Sequence, residues 1–193
     1  ICAQINETNE SVGKSYRLIN TLSSSKSTLS PVILNERMYL LTVSNRVDSI
    51  DSSSDVGALT EYVDSNQAKG DNNTGVYITD KITLELPATS LKVYFDGCIM
   101  SSAEVEVMYK ILRTDENLIF DDLGWTYFNT TGIPDSTVPT SKNFFGEKDF
   151  KEYEYSADSL EDFISFAIKI VMKSTNSSFP PVIKSFRTIA LAT

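Results

Sequence analysis

An all-β, antiparallel sandwich is the fold class this sequence predicts, on three observations. Between residues 76 and 191, apolar and polar side chains alternate with the two-residue period of half-buried strands. The alternating segments are short, and clusters of Gly, Pro, Asn, Asp and Ser separate them, as strand connections require. No stretch carries the period of a long amphipathic helix, and nothing repeats at the roughly 20 to 50 residue spacing of solenoids.

Taken in order, residues 1–47 read as an N-terminal arm and strand segment. They are rich in Ser, Thr and Asn, with one apolar alternation near Tyr16, Leu18 and Ile19 and then a Ser-rich loop. Pro31 lacks a backbone donor, so it belongs at a strand start or edge before the strand expected over 38–43. Residues 48–75 shift to Ser, Asp, Asn and Gly and predict a polar linker or surface excursion, with 57–63 as a short strand or helical turn. The spacing of its acidic residues does not match a calcium loop.

The sandwich is expected over 76–193. Ile78, Ile82, Leu84 and Leu86 line one face of its first strand, and Pro87 ends that strand. Leu91, Val93 and Phe95 follow in a second, with a bend or bulge at Asp96-Gly97. A third sets Val105, Val107, Tyr109 and Ile111 against Glu104, Glu106 and Lys110. A short strand over 118–120, a turn at Asp121-Asp122 and an aromatic segment over 124–128 come next. Residues 129–148 predict an irregular loop, 150–155 an edge strand, and 156–163 one helical turn capped by Asp158 or Ser159. Residues 163–191 predict a β-hairpin closed through Pro180-Pro181 that supplies two central strands. In its first strand Phe166, Ile168, Ile170 and Met172 face inward, while Lys169 and Lys173 face solvent. About eight strands in this arrangement point to a jelly-roll sandwich preceded by an extended N-terminal segment.

Composition excludes several functions. A net charge of −9, from 17 basic and 26 acidic residues, repels nucleic acid and anionic membrane surfaces. No apolar run approaches the roughly twenty residues of a membrane helix. The chain has no His, which removes the commonest general base and metal ligand. Cys2 and Cys98 stand alone, so neither zinc spacing nor a redox pair is available; they are read as unpaired residues of a cytoplasmic chain, with one disulfide between them left open. The start, Ile1 to Asn6, turns polar at once and lacks an initiating Met, marking a piece of something longer rather than a secretory leader.

Chemistry is sparse. The carboxylate pairs Asp121-Asp122, Glu152/Glu154 and Glu161-Asp162 read as turn and strand-surface residues. No phosphate-cradling Gly loop and no nucleophile motif is present. Five Asn-x-Ser/Thr triplets match a glycosylation acceptor pattern, as chance allows in so Ser- and Thr-rich a chain. The expectation is therefore no enzyme, no metal and no cofactor. The ligand-binding candidates are Trp125, Tyr127 and Tyr153, aromatic rings on which a sugar can stack, set against their commoner use in core packing.

Several ordered segments carry a resemblance. They are Ser30-Pro31-Val32-Ile33 with Arg37, Val76-Tyr77-Ile78-Thr79, Phe150-Lys151-Glu152-Tyr153, the run from Phe166 to Met172, and the run from Pro180 to Leu191. These segments resemble virion structural proteins of T-even-like tailed bacteriophages, particularly marine and cyanophage ones. Leu34 departs from the pattern, standing where an Asp often follows Ser-Pro-Val-Ile. The resemblance implies a tail, baseplate or fibre-associated module, a homo-oligomer that contacts other virion proteins and is assembled in the host cytoplasm. The alternative is a carbohydrate-binding jelly roll that touches a host glycan.

Overall fold

A computed structural model describes residues 19, 21–33, 47, 65–69, 73, 75–144, 147–176 and 179–192. The strand expected over 38–43, the segment 57–63 and Cys2 lie outside them. The chain divides into two compact units, Ile1–Val43 and Ser44–Thr193. In the first, residues 21–33 are exposed irregular chain around a turn in which the Lys26 amide donates to Ser24 Oγ and Leu29 N–H donates to the Lys26 carbonyl.

The second unit is built from antiparallel strands: β1 (Val76–Ile78), β2 (Ile82–Ala88), β3 (Ser90–Cys98), β4 (Ala103–Arg113), β5 (Thr126–Tyr127), β6 (Asn143–Phe144), β7 (Glu147–Lys148), β8 (Lys151–Ala157), β9 (Phe163–Ser174) and β10 (Val182–Leu191). A five-stranded sheet runs β1-β9-β4-β5, with β2 also paired to β9; a three-stranded sheet runs β10-β3-β8; β6 and β7 pair alone. Among the described residues no α-helix forms.

The period of two sets which side chains meet between the sheets. Leu91, Val93 and Phe95 of β3, with Tyr153 and Tyr155 of β8, face Val107 and Tyr109 of β4 and Phe166, Ile168 and Ile170 of β9 in one continuous core. Phe128 enters the same core from the end of β5 and meets Tyr109 edge-on at 4.8 Å between ring centres. The outer face of the smaller sheet carries charged side chains, with Ile189 exposed beside Lys92. There Lys92 and Glu154 approach to 3.7 Å across the neighbouring strands β3 and β8, and Arg187 of β10 reaches over β3 to Glu152 of β8 at 3.1 Å.

The hairpin expected over 163–191 does not form. β9 is central, with β4 along one edge and β1 and β2 along the other, so no edge is left for β10. The polar connection instead carries the chain to the other sheet, where β10 pairs with β3 and forms an edge. Alternation fixes the buried face of a strand but not its partner. β8 is an edge strand, as expected. Ser185, at φ 54, sits at a register slip between Lys184 and Arg187. That bulge lets Ile183 before it and Phe186 and Ala190 after it all pack on the core.

Other local expectations are corrected. Residues 156–163 form no helical turn, because Ser159 adopts φ 58 and the Leu160 amide donates to the Thr89 carbonyl at 2.8 Å. Residues 118–120 form no strand, and Phe120–Asp122 make a 3-10 turn. Pro87 does not end β2, which continues to Ala88 across a register slip. The loop after β5 contains the small β6-β7 pair. Ile78 and Ile82 do not share a buried face: Ile78 pairs with Lys169 and Ile82 with Phe166, neighbours in the opposite rows of β9, and both are exposed with Leu86. Only Leu84 of that set packs on the core.

Gly97 is not a bend either, since β3 pairs straight through it with Lys151 and Ile183. Its missing side chain makes room for a ring. A Cβ there would lie 2.9 Å from Tyr153 Cε2 and 3.2 Å from Phe95 Cε2, two rings already stacked at 5.5 Å. Gly97→Ala is expected to destabilise the domain by about 1–3 kcal/mol, because buried rings have little room to yield. Equilibrium urea unfolding measures it, and an unshifted midpoint would mean the Tyr153 ring can move aside.

Candidate functional site

The residues that combine charge, aromatic surface and a cavity lie on the outer face of the five-stranded sheet. Along β4, Glu106, Met108 and Lys110 point away from the core; along β9, Ala167, Lys169 and Val171 do the same. A central strand normally shows such a row to water. Here the chain after β4 folds back over it, laying Phe120 and Trp125 against Met108, Ala167 and Val171 in a second apolar cluster. The described residues of the polar stretch, Ser65 to Lys69, cover the flank, and the Trp125 amide donates to the Asn66 carbonyl at 2.7 Å.

This cover changes what the two lysines are. Lys169, expected at the solvent face, is 1% exposed and donates to the Ser65 carbonyl at 2.6 Å. Lys110 is 7% exposed, with its ammonium 4.7 Å from the centres of both the Phe120 and Trp125 rings. The Lys169 ammonium stands 5.6 Å from the Trp125 ring, so the indole serves two cations. Burial holds the Lys110 pKa below the usual lysine range; Asp121 and Asp122 oppose that shift, and the charges of Lys169 and Lys69 add to it. At the rim, Lys69 forms an ion pair with Asp122.

A cavity of about 510 Å³ opens beside these groups, lined by Lys110, Lys169, Trp125 and Asp121, with Gln67 and Asn73 among the other contributors. A second of about 500 Å³ lies elsewhere, where Tyr153 and Tyr155 meet Pro134, Val138 and Glu104.

The sequence candidates thus separate. Trp125 is 6% exposed and lines the first cavity. Tyr127 is half-buried in β5, opposite Met108, and packs on the same outer cluster. Tyr153 is a core residue stacked on Phe95 and edges the second cavity, so it shares no site with Trp125. Sequence reasoning missed Lys110 and Lys169, which it assigned to a solvated face. The usable signal was the apolar content of Phe120, Leu123 and Trp125 on either side of the Asp121-Asp122 turn, since such residues must cover something.

Cys98 is a buried free thiol. Among the described residues no three His, Cys, Asp or Glu side chains gather as a metal site would require, and no helix is long and apolar enough to cross a membrane. Comparison with protein-family models, with curated proteins and with solved structures returned no match.

Proposed function

We propose that this chain is a structural and assembly module of a tailed-phage virion, from the tail, baseplate or fibre attachment region. It works through protein-protein contacts with further copies of itself and with other virion proteins, after assembly in the host cytoplasm. A jelly-roll path for the sandwich and an extended N-terminal segment belong to this reading, and catalysis does not. The observation that carries it is the uncovered apolar margin of the larger sheet, where Tyr77, Ile78, Ile82 and Leu86 are exposed on β1 and β2. Large apolar side chains grouped on a strand margin suit burial against a partner chain.

Two measurements test it. Mass spectrometry of purified particles should find the polypeptide that contains this sequence, and its absence from virions overturns the proposal. Leu86 is 77% exposed, so Leu86→Asp should change the stability of the isolated chain by no more than about 0.5 kcal/mol while reducing self-association and incorporation into particles. Unchanged incorporation would remove the β1-β2 margin from the interface.

A second reading, a module that contacts a host surface glycan, is favoured by one observation: the cavity beside Trp125. Adsorption of particles carrying Trp125→Phe, compared with wild type, tests that reading.

A further inference from the structure

Lys110 carries a charge that no direct ion pair holds, although the Asp121 and Asp122 carboxylates act on it through space. Among the described residues its ammonium forms neither hydrogen bond nor ion pair, although its side chain is nine-tenths buried and lines the cavity. Two aromatic rings offset part of its lost hydration. Ring contacts are a smaller compensation than an anion, because a desolvated ammonium retains a cost that only opposite charge offsets well. Lys169 lines the same cavity wall and donates to the Ser65 carbonyl. Asp121 also lines the cavity, where its charge acts on Lys110 with no hydrogen bond or ion pair between the two. The Lys110 ammonium therefore stands at the cavity wall with no hydrogen-bonded anion among the described residues, in a chain whose net charge is −9.

Size and lining narrow the class of anion. At about 510 Å³ the cavity falls within the span of small-molecule sites and is much larger than a bare oxyanion needs. Gln67, Asn73 and Asp121 bring amide and carboxylate groups to its wall, the partners that hydroxyl groups use. Val76 and Ile78 supply apolar surface for the C–H face of a ring.

We propose that this cavity binds a carboxylated sugar, a uronic acid unit of an acidic glycan, with the carboxylate against the Lys110 ammonium and the ring hydroxyls toward Gln67, Asn73 and Asp121. The inference rests on the glycan reading of the site and adds the acidic class of the sugar. No bond is made or broken; the lysine acts as a charge and as a donor.

The chain contains one Trp, and it lines the cavity, so indole emission reports occupancy directly. Glucuronate, glucose and inorganic phosphate are titrated against the full chain at constant ionic strength. Glucuronate is expected to give a saturable change in Trp125 emission, with glucose and phosphate at least tenfold weaker. Lys110→Met, close in volume and without charge, should weaken glucuronate tenfold or more. Gln67→Glu, at an exposed rim position outside the core, should weaken it severalfold with folding intact.

The outcomes separate the two layers of the reading. Equal binding of glucose and glucuronate leaves a glycan site and overturns the acidic specificity. A phosphate response equal to that of glucuronate reduces the cavity to an anion site and overturns the sugar assignment. No saturable response to glucuronate, or one that both variants leave unchanged, overturns the proposal.

Discussion

Gly132→Ala is expected to lower the stability of the sandwich by roughly 3 kcal/mol, among the largest single effects available in this chain. Gly132 has φ 73, a left-handed conformation that costs an alanine about 1–2 kcal/mol. The added methyl also has nowhere to go: a Cβ would lie 2.8 Å from the Val107 nitrogen and 3.0 Å from the Val107 oxygen, both backbone atoms that cannot rotate aside. Those atoms are already engaged. The Val107 amide donates to the Gly132 carbonyl at 3.1 Å, and the Val107 carbonyl accepts from the Phe128 amide at 3.0 Å. Pushing residue 132 outward therefore loosens the seat of Phe128, a fully buried ring of the central core. Urea unfolding of Gly132→Ala beside Gly124→Ala makes the test, since a Cβ at Gly124 meets only the Asn66 carbonyl, at 3.3 Å. A Gly132 variant no weaker than the Gly124 one would show that the turn relaxes freely.

How much of this was legible depends on what kind of fact each residue carries. Leu91, Val93 and Phe95, and likewise Phe166, Ile168 and Ile170, lie on the buried faces that alternation predicts, because the pleat ties facing direction to sequence parity. Partners are not encoded that way. β9 and β10 are neighbours in sequence with complementary patterns, yet they belong to different sheets because β4, β1 and β2 already occupy both edges of β9. The lysines failed for a related reason. Parity places Lys110 and Lys169 on the outward row correctly, but only the return of Phe120 and Trp125, together with Ser65 to Lys69, decides that outward is not solvent. Trp125 was legible as the ring to watch. Tyr153 was not separable from it by sequence, since both occur in aromatic-rich strand segments and only the sheet assignment divides them.

Tyr155→Ala is the other large loss, expected at about 3–5 kcal/mol, the range for deleting a buried aromatic ring. Tyr155 is fully buried, stacked on Phe95 at 5.6 Å and edge-on to Phe128 at 6.0 Å. Its position in β8 is fixed by pairing with Val93, so neighbouring rows cannot readily close over the void. Tyr155→Phe keeps the ring and isolates the hydroxyl. Burial raises the Tyr155 pKa far above the usual tyrosine value, and burial moves Tyr109 and Tyr153 the same way. Below about pH 10 folded and unfolded chains both keep these protons, and the groups contribute no slope. Above it the unfolded chain releases them while the folded chain does not, so the unfolded state binds fewer protons and stability falls. One such group removes up to about 1.4 kcal/mol per pH unit until the folded value is reached. Lys110 works in the opposite sense: its lowered pKa means the folded chain binds fewer protons as pH nears the ordinary lysine value, so stability rises with pH across that interval. In wild type the buried tyrosines outnumber this single lysine. Tyr155→Phe is accordingly expected to lie within about 1 kcal/mol of wild type at neutral pH and to lose stability less steeply above about pH 10. Parallel denaturant titrations across that range decide it: a wild-type-to-variant difference that stays constant above about pH 10 would mean that the Tyr155 hydroxyl ionises as readily folded as unfolded.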